Sequence, residues 1–311
     1  MGYSYLYTGQ ELASYGFPGD HPFSTDRHDY FLNGVKGKDF FKNIERRLPV
    51  KAEPEEIGYF HSEKYVNAIK EYSRYGGARL DSGDTVAFPG IYEAGATVVG
   101  TALEATRKIL KGSAKNAMVP IGGLHHAFRE RASGFCVFND CAVVIDFLLQ
   151  EEELKQVLYV DIDAHHGDGV FYSFAADPRV INVDFHQRGI FPGTGDTSEQ
   201  GSGPAEGTKL NVPLKAGATD DDFLNKWSQA KQFIQQFSPE FIILQCGADS
   251  LSGDPLTWLN LSSKVHRQVA RDLLDLANEK CQDRFLALGG GGYNLENLSL
   301  AWGAVLEEMA R

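Results

Sequence analysis

Cysteine is scarce in this chain of 311 residues, which contains four cysteines and no C-x-x-C pair. The four are Cys136, Cys141, Cys246 and Cys281. This pattern excludes a disulfide-rich scaffold and indicates the reduced thiols of a cytosolic protein. The segment from Met1 to Leu6 lacks a basic stretch followed by an apolar core, and it lacks the Ser or Thr that myristoylation needs at position 6. Because no apolar run is long enough to span a bilayer, we expect a cytoplasmic protein that does not enter a membrane.

Positive charge is also in short supply. With 30 lysines and arginines against 42 acidic residues, the chain has a formal net charge of −12. This balance excludes a generally basic surface, so no direct nucleic-acid binding is expected, and cationic partners such as lysine-rich peptides are weakly favoured. No linker or low-complexity segment interrupts the sequence, and its hydrophobic content of 42% is ample for a core. We therefore predict one domain over residues 1–311.

Short apolar runs that end in polar or glycine-rich clusters are abundant. These runs suit buried strands, and they are Met118–Ile121, Val157–Val160, Val180–Val183, Phe241–Leu244 and Phe285–Leu288. A first strand is predicted at Tyr3–Tyr7, and helices are predicted over residues 27–35, 62–72, 91–110, 143–153, 221–237, 262–280 and 295–309. Strands that alternate with helices predict an α/β fold with a parallel sheet covered on both faces. In such sheets ligands bind beyond the carboxyl ends of the strands, where all five clusters lie.

Two further segments have simple interpretations. The Gly- and Pro-rich segment Gln187–Gly217 is predicted to be a long loop that shapes a binding site. The acidic run Asp220–Asp222 follows Thr219 at a predicted helix start, where carboxylates interact favourably with the positive end of the helix dipole. The acidic run therefore needs no functional explanation.

The cluster after Val157–Val160 predicts a metal site. Asp161, Asp163 and His165 alternate with apolar residues, so in extended backbone their side chains share one face. Two carboxylates and an imidazole crowded at a strand end need a compensating cation or hydrogen-bond donors. A divalent metal ion bound by Asp163 and His165 would be that cation. Asp249 is the best candidate for a third ligand, although taken alone it would be interpreted as a helix cap. Nitrogen and carboxylate oxygen ligands suit zinc, and iron, cobalt or manganese would also fit.

Other polar residues at the strand ends indicate acid–base chemistry. His125 and His126 follow two glycines, while Asp161 and Asp168 are carboxylates that could each accept a hydrogen bond from one imidazole. Tyr293 follows four glycines and could bring a phenol close to the metal as an oxyanion donor. His166 is expected to pack or to bind backbone. This combination predicts a hydrolase of a carbonyl compound, in which one histidine takes a proton from water and returns it to the leaving group.

These motifs resemble the zinc-dependent histone deacetylase family, in the compact prokaryotic form that is similar to acetoin-utilisation proteins. The matching motifs cover essentially the whole chain in order, and they are Gly122–Ala127, Ala132–Asp140, Asp161–Gly169, Phe191–Asp196, Gly247–Pro255 and Gly289–Tyr293. The resemblance implies the arginase/deacetylase fold, a three-layer α/β/α sandwich with a central, mainly parallel sheet. It also implies hydrolysis of acyl groups from lysine.

The resemblance assigns roles to individual residues. It implies a zinc ion bound by Asp163, His165 and Asp249. It also implies that His126, linked to Asp168, is the general base and acid, and that His125, linked to Asp161, is an electrostatic helper. Tyr293 would polarise the substrate carbonyl with its phenol. Gly134, Phe135 and Phe191 would wall a narrow tunnel for the lysine methylenes. Asp84 would accept hydrogen bonds from the substrate backbone, and Arg27 would line a pocket for the departing acetate.

The resemblance also implies monovalent cations. A potassium ion beside the zinc would use Asp161, Asp163, His165, Asp184 and Phe185. A second potassium ion would lie near Phe174, Asp177 and Val180, where Thr208 replaces the tyrosine usual in the family. A two-manganese centre of the arginase type would want carboxylates at Gly167 and Leu251, so a mononuclear site is predicted.

One position bears on the substrate. Acetylpolyamine deacetylases of this family carry an acidic residue seven positions after the third zinc ligand, and here that position is Leu256. An acyl-lysine peptide or protein is therefore the predicted substrate, with zinc as the cofactor and Fe²⁺ or Co²⁺ as alternatives. An acetylpolyamine or another small acetylated amine is the alternative substrate, and a non-catalytic binding protein of the same fold is a third hypothesis.

Overall fold

The computed structural model of the chain describes residues 3–311. Within them, eight strands form one sheet in the order β2-β1-β3-β8-β7-β4-β5-β6, and each pair of neighbours is parallel. The strands are β1 Tyr3–Tyr7, β2 Ile44–Arg47, β3 Ala114–Val119, β4 Val157–Asp161, β5 Val180–Gln187, β6 Lys209–Leu214, β7 Phe241–Gln245 and β8 Phe285–Leu288. The predicted parallel α/β architecture is confirmed.

Helices cover both faces of the sheet. They are α1 Gln10–Ala13, α2 Asp26–Val35, α3 Pro54–Ile57, α4 Glu63–Tyr75, α5 Ile91–Leu110, α6 Asp140–Asp146, α7 Asp168–Ser173, α8 Asp220–Ile234, α9 Ser263–Lys280 and α10 Leu295–Met309. Helix α5 packs on α6 and on β1, β3 and β8, whereas α10 packs on α2 and α9, and α9 packs on β7 and β8. Short 3-10 turns cover Asp39–Asn43, Gly203–Ala205 and Ala248–Ser250, and α6 continues as a π-helical turn over Phe147–Glu151.

Sequence reasoning missed the two edge strands. β2 consists of Ile44-Glu-Arg-Arg47, and β6, which contains lysine, asparagine and proline, lies inside the segment predicted to be a loop at Gln187–Gly217. Edge strands of a sheet commonly carry charges and proline because one side of their backbone has no strand partner. The pattern of buried apolar residues that identifies a central strand is therefore weak in both.

Several boundaries differ from the prediction. β3 begins at Ala114 and ends at Val119 instead of covering residues 118–121, and β5 continues through Asp184 and His186 to Gln187. The predicted helix over residues 143–153 begins earlier, at Asp140, and changes to a π-helical turn at residue 147.

The acidic run lies in the first turn of α8, as predicted. The side chain of Asp222 accepts a hydrogen bond from the backbone N–H of Thr219, which caps the helix in return. All four cysteines are buried and free. None of the helices within residues 3–311 is both long and apolar enough to cross a bilayer, and the cytoplasmic location stays a prediction.

Candidate active site and metal centre

Two adjacent strands bring the three predicted metal ligands together. Asp163 and His165 follow β4, and Asp249 lies in the 3-10 turn after β7, the strand that pairs with β4. Nδ1 of His165 lies 3.2 Å from Oδ1 of Asp163 and 3.0 Å from Oδ2 of Asp249. The three ligand atoms lie within 4.8 Å of one another, and all three residues are buried. These side chains could hold one metal ion.

The electrostatics of the three residues fit a bound cation. Burial and, after it, the carboxylate of Asp163 together raise the pKa of Asp249 to about 7. Burial acts in the same direction on Asp163, but the imidazoles of His125 and His165 outweigh it and hold its pKa well below the usual range. One imidazole nitrogen and two carboxylate oxygens, with no thiolate, suit a divalent ion such as zinc.

Neighbouring groups fix the orientation of the ligands. The side-chain amide of Gln245 and the backbone N–H of Gly291 both donate to Oδ2 of Asp163, at 2.9 Å and 2.8 Å. The backbone N–H of Ala164 donates to Oδ1 of Asp249 at 2.8 Å. Hydrogen bonds of this kind hold metal ligands in place and adjust their basicity. Sequence reasoning missed Gln245, whose only signal was a polar residue at the end of an apolar strand.

Each of the two predicted catalytic histidines is paired with a carboxylate. Nδ1 of His125 lies 2.8 Å from Oδ2 of Asp161, and Nδ1 of His126 lies 2.7 Å from Oδ1 of Asp168. The two imidazole rings are adjacent, with centroids 4.0 Å apart. Because Nδ1 of each ring is occupied by a carboxylate, Nε2 is the nitrogen that remains for chemistry.

The two histidines differ in charge. Burial lowers the pKa of His125, but Asp161 and Asp163 outweigh burial and raise it to about 10. Burial and the adjacent charge of His125 lower the pKa of His126 to about 4, against the opposing effect of Asp168. Near neutral pH, His126 is therefore a neutral imidazole that can accept a proton, whereas the carboxylates around His125 favour its protonated form.

The loop that carries these histidines is shaped by two residues that sequence reasoning missed. The buried carboxylate of Asp140 accepts hydrogen bonds from the backbone N–H groups of Gly123 and Leu124, at 2.9 Å and 2.7 Å. The side-chain amide of Asn139 donates to the carbonyls of His125 and Ala127, at 3.1 Å and 2.8 Å. Both partners are distant in sequence, so no local pattern reveals them.

Tyr293 faces the metal ligands from the loop after β8. Its ring centroid lies 6.4 Å from that of His165, and its backbone N–H donates to Oδ2 of Asp254 at 2.8 Å. Burial, followed by the carboxylates of Asp249 and Asp163, raises the pKa of its phenol well above the usual value. The phenol therefore stays protonated and can donate a hydrogen bond.

A cavity of about 800 Å³ leads from the surface to these groups. His126, His165 and Tyr293 line its inner part. All five of the predicted substrate-binding residues also line it, and these are Asp84, Gly134, Phe135, Phe191 and Leu256. Asp84 and Trp258 are both exposed and both line this cavity. Apolar walls around a few convergent polar groups are typical of small-molecule binding sites.

The loop at the mouth is organised by Asp81, which sequence reasoning missed. Its carboxylate accepts hydrogen bonds from the N–H groups of Thr85 and Gly134, both at 3.1 Å, and from the Thr85 hydroxyl at 2.6 Å. The Thr85 hydroxyl in turn accepts the N–H of Phe135 at 2.9 Å. Asp81 thus holds the wall of the cavity, while the Asp84 carboxylate makes no hydrogen bond within residues 3–311.

Arg27 lies fully buried under the loop after β8. Its guanidinium donates to the carbonyls of Gly292 and Gly290, at 2.9 Å and 2.6 Å, and stacks over the ring of Phe23 at 3.9 Å. Its third nitrogen, Nη1, has no hydrogen-bond partner within residues 3–311. A buried guanidinium N–H that can still donate fits the predicted pocket for a departing anion.

The potassium site predicted beside the candidate metal centre includes two buried acids on neighbouring strands. Asp161 and Asp184 are register partners on β4 and β5. Burial raises the pKa of Asp161 to about 6; His125 opposes this effect, and Asp184 adds to it. Two buried carboxylates on neighbouring strands fit a cation between them.

The same region has no room for a second divalent metal held by a carboxylate at Gly167. A Cβ atom on Gly167 would lie 2.6 Å from Oδ2 of Asp161 and 3.2 Å from Oδ2 of Asp184. Leu251, at the other position considered, is a buried apolar side chain. His166 makes a 2.8 Å hydrogen bond to the hydroxyl of Thr194 instead of facing the metal ligands. The donor set therefore fits a mononuclear centre.

Comparison with known proteins identifies the family. A family profile described as "Histone deacetylase domain" matches residues 21–309. The chain belongs to the histone deacetylase family. Family membership and the eight-stranded parallel sheet confirm the predicted arginase/deacetylase fold. They also support a hydrolytic deacetylase, in agreement with the chemistry predicted from the strand-end clusters.

Individual relatives of this deacetylase-family chain cover almost all of its length. It is 37% identical to the "Acetoin utilization protein AcuC" of Bacillus subtilis over 310 residues, which cover 95% of this chain and 79% of the relative. It is 34% identical to "Histone deacetylase HDAC1" of Drosophila melanogaster and to human "Histone deacetylase 1". These matches cover 95% and 96% of this chain, but the chain spans only 57% and 62% of the two animal proteins.

Proposed function

We propose that the protein is a zinc-dependent amidohydrolase that removes acetyl or other acyl groups from the side chain of N-ε-acyl-lysine. The observation that carries this proposal is the convergence of Asp163, His165 and Asp249 beside the carboxylate-linked His126, at the end of a cavity that His126 and His165 line. A pseudoenzyme of this fold would be free to lose any of these groups. Their joint presence therefore favours an enzyme over a non-catalytic binding protein.

Each group in the site has a separate role in the proposed hydrolysis. A bound divalent ion supplies a Lewis acid that polarises the acyl carbonyl and lowers the pKa of water. Nε2 of His126 takes the proton from the attacking water and later gives it to the lysine amine that leaves. Tyr293 donates its phenolic hydrogen bond to the developing oxyanion, and His125 acts as an electrostatic and hydrogen-bonding helper beside it.

The cavity supports a lysine side chain as the substrate. The rings of Phe135 and Phe191 and the backbone of Gly134 form walls against which an unbranched chain of methylenes can be buried. Leu256 presents no carboxylate to a second amine of a polyamine. We also propose a potassium ion bound by Asp161, Asp163, His165, Asp184 and Phe185, and an acetate exit pocket beneath Arg27.

A small acetylated amine is the second candidate substrate. The carboxylates of Asp81 and Asp84 at the mouth of the cavity would attract a distal ammonium group. An acetyl-lysine peptide and acetylspermidine should therefore be compared on the same metal-reconstituted protein. We expect much higher kcat/KM for the peptide, and comparable values would remove the support that Leu256 gives to the lysine assignment.

The Tyr293→Phe variant tests the catalytic proposal. Loss of one oxyanion donor costs about 10²–10³ in kcat in enzymes of this kind, and we expect a loss of that size with metal content and thermal stability unchanged. The matched control is Tyr30→Phe, which removes a hydroxyl from a half-exposed ring outside the cavity. Full activity in Tyr293→Phe would refute the oxyanion role, and two divalent metal ions per chain would refute the mononuclear centre.

A further inference from the structure

Lys209, the first residue of β6, has an unusual environment for a lysine. Only 1% of its surface is exposed. Its ammonium group donates to the backbone carbonyls of Asp177 and Val180 and to the hydroxyl of Thr208, at 3.1 Å for Asp177 and 3.0 Å for Thr208. An ammonium has three N–H donors, so all of them are used by these three oxygens.

The same oxygens belong to the segment in which the family resemblance implies a second potassium ion. That ion would lie near Phe174, Asp177 and Val180, with Thr208 at the position of the usual tyrosine. Potassium is a hard cation that binds carbonyl and hydroxyl oxygens, and an ammonium group has the same charge and satisfies the same acceptors through N–H donors. The two cations therefore compete for one place.

The lysine side chain is enclosed where it lies. The turn after Gln200 packs over its aliphatic part: a Cβ atom on Gly201 would lie 3.3 Å from Cγ of Lys209 and 2.2 Å from the carbonyl of Ala205. The backbone N–H of Lys209 also donates to the carbonyl of Gln200 at 3.3 Å. The ammonium is thus held beside the carbonyls by packing along the whole side chain.

The charge of this ammonium has support from its surroundings. Burial lowers the pKa of Lys209 to about 8, and the nearby Asp177 opposes that effect. The Asp177 carboxylate itself pairs with Arg179, whose Nη2 lies 2.6 Å from Oδ2. At neutral pH the lysine therefore remains mostly protonated, as a cation substitute must.

We propose that the ammonium of Lys209 permanently replaces the second potassium ion, so that this protein has one monovalent-cation site of the family instead of two. The expected potassium ion near Phe174, Asp177 and Val180 does not fit, because Lys209 already occupies its ligands. The cation that joins β6 to Asp177 and to the first residue of β5 is therefore part of the protein chain, and this contact does not depend on potassium in solution. This inference concerns a structural site and does not require the proposed deacetylase activity.

Thallium, which mimics potassium and scatters X-rays anomalously, tests the proposal directly. Crystals of the wild-type protein grown without potassium and soaked in thallium acetate should show no anomalous peak at the carbonyls of Asp177 and Val180. Crystals of Lys209→Ala treated in the same way should show one. A peak there in the wild-type protein would overturn the proposal, and so would the lack of a peak in the variant.

Melting temperatures in solution provide a second test that does not require crystals of the variants. The melting temperature is measured in potassium chloride and in tetramethylammonium chloride at equal ionic strength. Lys209→Ala should gain more stability from potassium than the wild-type protein, whereas Lys215→Ala, which removes an exposed lysine just after β6, should respond as the wild type does. An equal potassium response in all three proteins would contradict the proposal.

A second substitution covers the case in which Lys209→Ala does not fold. Lys209→Met keeps an unbranched side chain in the same space but carries no charge. We expect it to melt at a lower temperature than the wild type and to gain no more from potassium than the wild type, because the side chain blocks the ion. A potassium response larger than that of the wild type would show that a cation enters despite the side chain, which would refute mutual exclusion.

Discussion

Replacement of Tyr15 by phenylalanine tests how the aromatic wall of the cavity is held in place. Phe135 has a φ of 67°, in the left-handed region that costs a non-glycine residue about 1–2 kcal/mol. The hydroxyl of buried Tyr15 donates to the carbonyl of Phe135 at 2.8 Å and accepts the N–H of Val137 at 3.0 Å. Tyr15→Phe removes both of these hydrogen bonds, to the carbonyl of Phe135 and from the N–H of Val137, and keeps the aromatic ring at position 15.

The size of the effect follows from these contacts. Two hydrogen bonds at about 1 kcal/mol each predict a loss of about 2 kcal/mol in the free energy of unfolding. Once Phe135 is free to leave its strained conformation, the substrate methylenes lose one aromatic wall, which is worth about 1 kcal/mol. We therefore expect KM to rise about fivefold, with kcat nearly unchanged because the lost contact binds ground state and transition state equally.

Urea denaturation and steady-state kinetics on an acetyl-lysine peptide measure the two quantities. Tyr65→Phe is the matched control, because its buried hydroxyl donates only to the carbonyl of Val137, at 2.7 Å, and does not contact Phe135. It should lose about 1 kcal/mol of stability with no change in KM. Equal KM values for Tyr15→Phe and the wild type, or equal increases in both variants, would refute the link between Tyr15 and the cavity wall.

Three further predictions concern the metal, the pH dependence of stability and the substrate. A Cβ atom in Gly291→Ala would lie 2.3 Å from Oδ2 of Asp249 and would displace that carboxylate. Competition with a chelator should therefore show zinc affinity reduced at least about tenfold. Unchanged zinc affinity would contradict the assignment of Asp249 as a ligand. Burial lowers the pKa of His61 from 6.5 to about 3, and its Nε2 accepts the N–H of Asn139 at 2.9 Å. Because only the unfolded chain takes up this proton, the free energy of unfolding falls as the pH drops below 6.5, by about 2 kcal/mol at pH 5. Urea denaturation at several pH values should show this loss in the wild type but not in His61→Gln. Parallel pH profiles of stability for the two proteins would disprove the prediction. Leu256→Glu should raise the ratio of acetylspermidine to peptide kcat/KM about fivefold, from about 1 kcal/mol of charge pairing, and an unchanged ratio would remove the role of this position.

The candidate metal ligands and the central strands could be predicted because their sequence signals are local. Polar residues directly after a buried apolar run already point to a site at that strand end, although β4 ends at Asp161 and the extended backbone expected for Asp163 and His165 does not continue. The alternation of strands and helices predicts a parallel sheet, and that sheet brings Asp249, far along the chain, to the same edge. The edge strands β2 and β6 were missed because charged and polar residues weaken the apolar pattern there.

The sequence by itself determined the class of fold and predicted the candidate metal ligands and the kind of chemistry that they would support. Only the tertiary structure decided what holds those groups in position. Gln245 reaches Asp163 across 82 residues, Tyr15 reaches Phe135 across 120, and the ammonium of Lys209 reaches carbonyls about 30 residues earlier. Periodicity reports only which residues share a face of one element, whereas each of these contacts depends on the packing of separate elements against one another.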